Sequence, residues 1–412
     1  MDGRTFIGSC VDRVAAAGRA VLGRAGGARS SRDRLAFPTE GASARYYMHF
    51  LDTYSPPDRF GFKVDTAADD QEAIVRRLVD YYRRLDAEAT DRGVAGNTDM
   101  WAHISRGHED FRAALAARDY ARVGEMLLQL ATGPLVVGYM NYEPYDRLRD
   151  DAKAREREAK HFADKLLSLS ESLGCSTVQC VEQGAWGYAS IDFDATIAAI
   201  ERRVGFEIAP PRAGGGSFGL QIGSRVLCMK DLHAIYTSTR ARDILAQSSG
   251  KTVAEIGGGT GTLAYYLVKA GLSRVSVFDL PIVSILQGYY LMSSLGPGKV
   301  WLHGEPESEA VARVRPHWAL ADEPDKSIDL FVNQDSLPEI ELAAARNYIR
   351  LIHAKGRTFF LSINQEGQAL DTFCVPQSVV YQLVEENGGL ERSYRFPHWM
   401  RAGYVEELYR IC

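Results

Sequence analysis

Cysteine is scarce in this chain. Its 412 residues hold six, at Cys10, Cys175, Cys180, Cys228, Cys374 and Cys412. The one close pair, Cys175 and Cys180, has no second pair with which to build a zinc site, and so thin a scatter excludes a disulfide framework. Reduced thiols in a cytoplasmic protein are the expectation. No apolar run is long enough to span a bilayer. Asp2 interrupts the start, so a secretory signal is not expected either. Basic charge is not in excess: 48 Lys and Arg against 53 Asp and Glu leave a formal net charge of −5. That balance argues against nucleic acid as a partner. Internal repeats and low-complexity tracts are missing too. What is present is an ordinary globular composition, 46% hydrophobic and 25% charged, on a chain long enough for two cores.

Residues 1–45 alternate small residues with Arg13, Arg19, Arg24, Arg29, Arg32 and Arg34. They read as a short helix over 11–22 and a flexible Gly/Ser/Arg linker. Residues 46–230 read as mostly helical. Ile74, Leu78, Tyr81 and Leu85 share one helical face, Phe111, Leu115 and Val123 mark a second, and Phe162, Leu166 and Leu169 a third. The charge-rich stretch 151–160 reads as a solvated helix face. Tyr139, Tyr142 and Tyr145 cluster in a predicted loop, as packing residues rather than substrate contacts. Asp192 and Asp194 are candidate caps for a helix through Ile197, Ile200 and Val204. Short strands are expected at 206–208, 218–222 and 225–229, the last two around a Gly223-Ser224 turn. A helix over 231–246 follows.

From 252 onward strands and helices alternate. Strands are expected at 252–256, 274–278, 300–302, 328–332 and 358–363, with a closing pair near 391–396 and 404–411. Alternation builds a mainly parallel sheet covered on both faces, and the closing pair adds an antiparallel edge. Ligands bind beyond the carboxyl ends of such strands, which selects the loops after 256, 278, 332 and 363. The first of these loops is almost wholly glycine. A dinucleotide fingerprint would need glycine at 262, where Thr262 stands. The pattern is instead Glu-x-Gly-x-Gly-x-Gly, on Glu255, Gly257, Gly259 and Gly261. A carboxylate at 255 repels a pyrophosphate and suits a cationic ligand end. Asp279 closes the next strand about 20 residues beyond the turn, a position from which an acid accepts ribose hydroxyls.

Glu255 to Gly261 resembles motif I of the class I S-adenosylmethionine-dependent methyltransferases. Asp279-Leu280-Pro281 resembles the small-molecule O-methyltransferases, in which the residue after the acid, here Leu280, lies against adenine. Together with Asn333-Gln334-Asp335-Ser336-Leu337-Pro338-Glu339-Ile340 and Glu182-Gln183-Gly184-Ala185-Trp186-Gly187, these motifs resemble the sugar O-methyltransferases of polyketide and antibiotic clusters, the group named for a nanchangmycin-pathway enzyme. The similarity runs from about residue 97 to the C-terminus. It implies a Rossmann-like α/β fold over 231–412, a mainly parallel seven-stranded sheet with an antiparallel closing strand. It also implies S-adenosylmethionine as cofactor and a sugar hydroxyl of a natural product, or of its sugar precursor, as acceptor. Residues 46–230 would form a lid, an acceptor surface and a homodimer contact.

Methylating a hydroxyl calls for a base, or for a metal that acidifies the oxygen. Asp335 and Glu339, four residues apart after the fourth strand, are candidates for the base or for half of a divalent-metal site. No complete metal site is expected. His398, between the last two strands, and His233, on the helix before the glycine turn, are the histidine candidates. Tyr236 and Arg240 are expected to close over the cofactor, Arg240 pairing its carboxylate. His317 and Trp318 are expected on the adenine side, Asn333 beside the cofactor, and Asn364 and Gln365 near the acceptor. Rival readings are an N-methyltransferase of a secondary metabolite, an NAD-dependent oxidoreductase, disfavoured by Glu255 and Thr262, and a protein that binds S-adenosylmethionine without transferring methyl.

Overall fold

The computed structural model describes residues 60–64, 71–94, 107–133, 135, 145–178, 192–211, 213–214, 216–367 and 377–412. The expected helix at 11–22, Tyr139, Tyr142 and the motif at 182–187 lie outside these residues. Strands β1 (Phe60–Val64), β2 (Gly216–Ile222) and β3 (Arg225–Leu227) form a three-stranded antiparallel sheet in that order. The expected turn at Gly223 joins β2 to β3, with φ of 58°. The expected strand at 206–208 does not form. Its Ile208 N–H donates instead to the Glu201 carboxylate, at 2.7 Å, so no ladder is available to it.

Among the described residues six helices accompany this sheet: α1 (Gln71–Asp91), α2 (Glu109–Ala117), α3 (Tyr120–Leu128), α4 (Tyr145–Asp150), α5 (Ala152–Ser172) and α6 (Phe193–Val204). The stripe Ile74, Leu78, Tyr81 and Leu85 is the buried face of α1. Asp151 caps α5 and Asp192 caps α6, each through backbone N–H groups. Helix α1 is bound to the second sheet. Arg77 donates to the carbonyls of Val300 and Pro297 at 2.6 and 2.8 Å and pairs with Glu305, and the Tyr81 hydroxyl donates to Val314 O at 3.2 Å.

The second sheet holds β4 (Thr252–Ile256), β5 (Arg274–Asp279), β6 (Val300–Leu302), β7 (Ala312–Pro316), β8 (Ile328–Gln334), β9 (Gly356–Gln365), β10 (Leu390–Pro397) and β11 (Tyr404–Ile411). Their order is β10-β11-β9-β8-β4-β5-β7-β6. Every ladder is parallel except the two that β11 makes with β9 and β10. This is the expected mainly parallel sheet with an antiparallel close, built of eight strands in place of seven. The additional strand is β7, which takes the position beside β5 and moves β6 to the edge. Its Ala312 and Val314 are buried while Arg313 and Arg315 alternate with them. The Arg315 guanidinium lies over the Phe278 ring, 5.1 Å from its centroid.

Helices α7 (Met229–Leu245), α8 (Thr262–Lys269) and α9 (Pro281–Leu295) cover one face, and α10 (Leu342–Lys355) and α11 (Val380–Asn387) the other. Successive strand residues serve opposite cores, as the period of two requires. Val253, Val277, Leu330 and Leu361 belong to the first core, and Ala254, Phe278, Phe331 and Phe360 to the second. Each large side chain so buried contributes about 1.5–3 kcal/mol. Among the described residues no helix is long and apolar enough to cross a membrane.

Candidate cofactor and acceptor cleft

A cleft of about 220 Å³ opens beyond the carboxyl ends of β4, β5 and β8. It draws on three of the four loops selected from the sequence; Asn364 and Gln365, which end β9, do not line it. Asn364 is buried and donates to Asn333 and Ser362, and Gln365 accepts from the Tyr404 hydroxyl. The glycine turn forms the floor. Gly257 has φ of 70°, and a Cβ there would stand 2.2 Å from Ser336 Oγ. Gly258, outside the expected pattern, is equally constrained, because a Cβ would stand 2.9 Å from the Glu255 carboxyl carbon. Gly259 also lines the cleft, whereas Gly261 stands behind it as the N-cap of α8.

Glu255 lies within β4, 4% exposed, and its Oε2 has no hydrogen-bond partner among the described residues. Burial, and then the neighbouring Asp279, push its carboxyl up to about 8. Asp279 accepts from the N–H groups of Leu280 and Gly259 at 2.8 and 3.2 Å, and from Gln287 Nε2 at 2.7 Å. Burial still outweighs those donors and pushes it up to about 7. The buried Glu255, with an oxygen left without a partner among the described residues, and the half-buried Asp279 make an acidic wall. A ligand bearing an ammonium group and neighbouring hydroxyls fits that wall; a pyrophosphate does not.

Leu280 and His317 line the same end of the cleft. Burial holds His317 down at about 4, so its ring is neutral. Trp318 meets His317 edge-on, ring centroids 5.0 Å apart, but is not part of the lining. Asn333 is not part of it either. Its amide donates to the Ile256 carbonyl at 2.9 Å and to Ser336 Oγ at 2.6 Å, bracing the end of β4 against the loop after β8.

Tyr236 and Arg240 correct the expectation that they close over a cofactor. The fully buried Glu406 of β11 takes both: the Tyr236 hydroxyl donates at 2.5 Å and Arg240 Nε at 3.0 Å, with the Tyr394 hydroxyl at 2.9 Å. A carboxylate inside a strand demands donors, and these are the ones within reach.

Asp335 has φ of 75° and its carboxylate pairs with Arg401 and, at 3.3 Å, with Lys230. Burial alone would raise it, but the charges of Arg401 and Lys230 prevail and hold it at about 2. So weak a proton acceptor is unsuited to be the base. Glu339 is the reverse case. It ends the 3-10 turn Leu337–Glu339, lines the cleft, and its carboxyl makes no hydrogen bond or ion pair with the described residues. Burial, then the charge of Asp335, push it up to about 7.

His233 lines the cleft from α7. His398 lies behind, edge-on against Tyr236 with centroids 5.0 Å apart. Burial first, then the Arg401 charge, hold His398 at about 3 and His233 well below the usual imidazole range. Both rings are therefore neutral and weak as bases. Among the described residues no three His, Cys, Asp or Glu side chains gather as a metal site needs. Lys230 and Arg401 were not singled out from the sequence, because each acts through a partner far along the chain, nor was Gln287, which donates to Asp279 eight residues before it.

No family model and no curated protein matches this chain. Solved structures that match include the mitomycin 7-O-methyltransferase MmcR, at 18% identity, over 44% of this chain and 57% of that one, with TM-score 0.33. The glycopeptide N-methyltransferase MtfA complexed with sinefungin matches at 14% identity, over 42% of this chain and 86% of that one, with TM-score 0.32. The [4+2]-cyclase SpnF matches at 14% identity, over 42% of this chain and 80% of its own, with TM-score 0.31. Each alignment takes in less than half of this chain, and the aligned part spans little more than half of MmcR. The fold itself is established by strand order and register.

Proposed function

We propose that this chain is an S-adenosylmethionine-dependent O-methyltransferase acting on a sugar hydroxyl of a natural product or of its sugar precursor. The observation that carries the cofactor is the pair Glu255 and Asp279 around the glycine turn, a buried and a half-buried acid raised to about 8 and about 7, the first with an oxygen that has no partner among the described residues. An ammonium group and hydroxyl donors relieve that strain on both acids, whereas a pyrophosphate would add to it. The sugar acceptor is supported by the resemblance of residues 333–340 and 182–187 to sugar O-methyltransferases.

When bound, S-adenosylmethionine supplies an electrophilic methyl group. Glu255 would hold its ammonium end, Asp279 its ribose hydroxyls, and Leu280 and His317 would flank the adenine. Glu339 accepts the proton of the acceptor hydroxyl on its carboxylate, a task that needs proton affinity near neutrality and an unengaged oxygen. Asp335 holds the surrounding loops through Lys230 and Arg401 and keeps its own charge.

Calorimetry with S-adenosylmethionine, S-adenosylhomocysteine and NAD, on the wild type and on Asp279→Ala, tests the cofactor. The sulfur cofactors should bind, and the substitution should weaken them by about 1–3 kcal/mol. Binding of NAD alone would end this reading. Binding of S-adenosylmethionine with no S-adenosylhomocysteine formed from any hydroxyl acceptor would favour a protein that does not transfer methyl.

A further inference from the structure

Gln334, the half-buried last residue of β8, lines the cleft, and its amide is held at one end only. The Thr237 hydroxyl of α7, fully buried, donates to Gln334 Oε1 at 2.8 Å. A buried hydroxyl needs a partner, and this tie supplies it. Gln334 Nε2 makes no hydrogen bond with the described residues. That nitrogen carries two donors, so the oxygen is anchored and the donors are left to the cleft.

The register places this amide. Glu255 of β4 pairs with Val277 of β5 on one side and with Val332 of β8 on the other. Asp279 and Gln334 each stand two residues further along, so both share the face of Glu255 and flank it. A rise of about 3.3 Å per residue and a strand spacing of about 4.8 Å put each Cα about 8 Å from that of Glu255. With the cofactor's ammonium group on Glu255 and its ribose on Asp279, the β8 side of the cleft is left for the acceptor. There Gln334 stands with Glu339.

We propose that Gln334 binds the acceptor atom through Nε2, and that this donor makes the atom an oxygen rather than a nitrogen. The proposal rests on the methyltransferase reading and names the atom that is methylated. A hydroxyl oxygen has two lone pairs. One accepts from Gln334 Nε2. The other forms the new O–C bond while the bond from the methyl carbon to sulfur breaks and its electron pair stays on sulfur. The hydroxyl proton passes to the Glu339 carboxylate, and the products are a methyl ether and S-adenosylhomocysteine. An amine nitrogen has a single lone pair. Engaged by Gln334 it cannot attack, and in attack it leaves the amide without a partner. An ammonium group has none and meets a donor. Thr237 is the positioning residue: without its hydroxyl the amide is free to turn its own oxygen to the cleft, where an amine can donate to it.

Calorimetry on the full-length protein compares S-adenosylhomocysteine with sinefungin, which carries an amine in place of the transferable methyl. Gln334→Glu puts a carboxylate where the donors were. At about pH 8, where that carboxyl is ionised, the variant should bind sinefungin about tenfold more tightly than the wild type does. Gln334→Leu should bind S-adenosylhomocysteine as the wild type does. A loss of about tenfold there would make Gln334 a cofactor ligand and overturn the proposal. Transfer is followed with isotopically labelled S-adenosylmethionine and matched probes: benzyl alcohol and benzylamine, methyl α-D-glucopyranoside and its 2-amino-2-deoxy analogue. In the wild type methyl should appear on oxygen alone; Thr237→Val should narrow that preference and Thr237→Ser should restore it. A methylated amine from the wild type overturns the proposal. Should no probe accept methyl, the sinefungin comparison decides. No gain in Gln334→Glu beside normal S-adenosylhomocysteine binding overturns the proposal and leaves the cofactor reading standing. Binding of neither compound to the wild type ends both.

Discussion

Asp335 and Arg401, 66 residues apart, join the loop after β8 to the loop between β10 and β11 through a half-buried ion pair. Lys230 reaches the same carboxylate from α7, at 3.3 Å. One side chain, on left-handed backbone, thus ties together three elements at the mouth of the cleft.

Replacing Asp335 by Asn keeps a residue that tolerates left-handed backbone but takes a carboxylate away from two cations. The variant should lose about 3 kcal/mol of stability at neutral pH. The wild-type carboxyl sits at about 2 when folded and near its ordinary value when unfolded. A depressed folded value stabilises fully above the unfolded value and is lost as pH falls through the folded one. Urea melts at about pH 7 and about pH 3 should therefore show the gap between wild type and variant narrowing in acid.

Glu339 predicts a rate that rises with pH through about 7, as its carboxyl loses the proton that burial and Asp335 retain. In Glu339→Gln, kcat should fall about 100-fold or more and the acid limb should flatten. Cofactor affinity by calorimetry should stay unchanged. A variant that keeps the wild-type pH profile would assign the proton to another group.

Glu255→Gln should separate stability from binding. The wild-type carboxyl is raised to about 8, so the folded state holds a proton that the unfolded state releases at ordinary carboxylate pH. Stability then falls as pH rises from the unfolded value to about 8. The amide has no such slope. In thermal denaturation at alkaline pH the variant should outlast the ligand-free wild type, while S-adenosylmethionine should stabilise it less.

Arg240→Met tests the corrected role of this arginine. Glu406 is fully buried and would keep only its tyrosine donors. A loss of about 3 kcal/mol in stability is expected, with cofactor affinity unaltered by calorimetry. A large drop in affinity at unchanged stability would return Arg240 to the cofactor.

The sequence by itself determined the alternation of strands and helices from β4 to β11, the antiparallel close and the glycine turn with an acid at each adjoining strand end. These are local matters: apolar runs bounded by turns, and left-handed backbone that glycine alone adopts freely. Strand β7 escaped because its arginines look solvated, although Arg315 covers the Phe278 ring. Strand β1 escaped because its partner β2 lies far along the chain. Only the tertiary structure decided which charges meet. Arg240 goes to Glu406, 166 residues away, and Asp335 to Lys230, 105 residues away. It also separated the two candidate carboxylates, pairing Asp335 with Lys230 and Arg401 and leaving the Glu339 carboxyl without a hydrogen bond or ion pair among the described residues. Proton affinity is set by burial and by the charges that folding brings near, and neither is written in the spacing of residues along a chain.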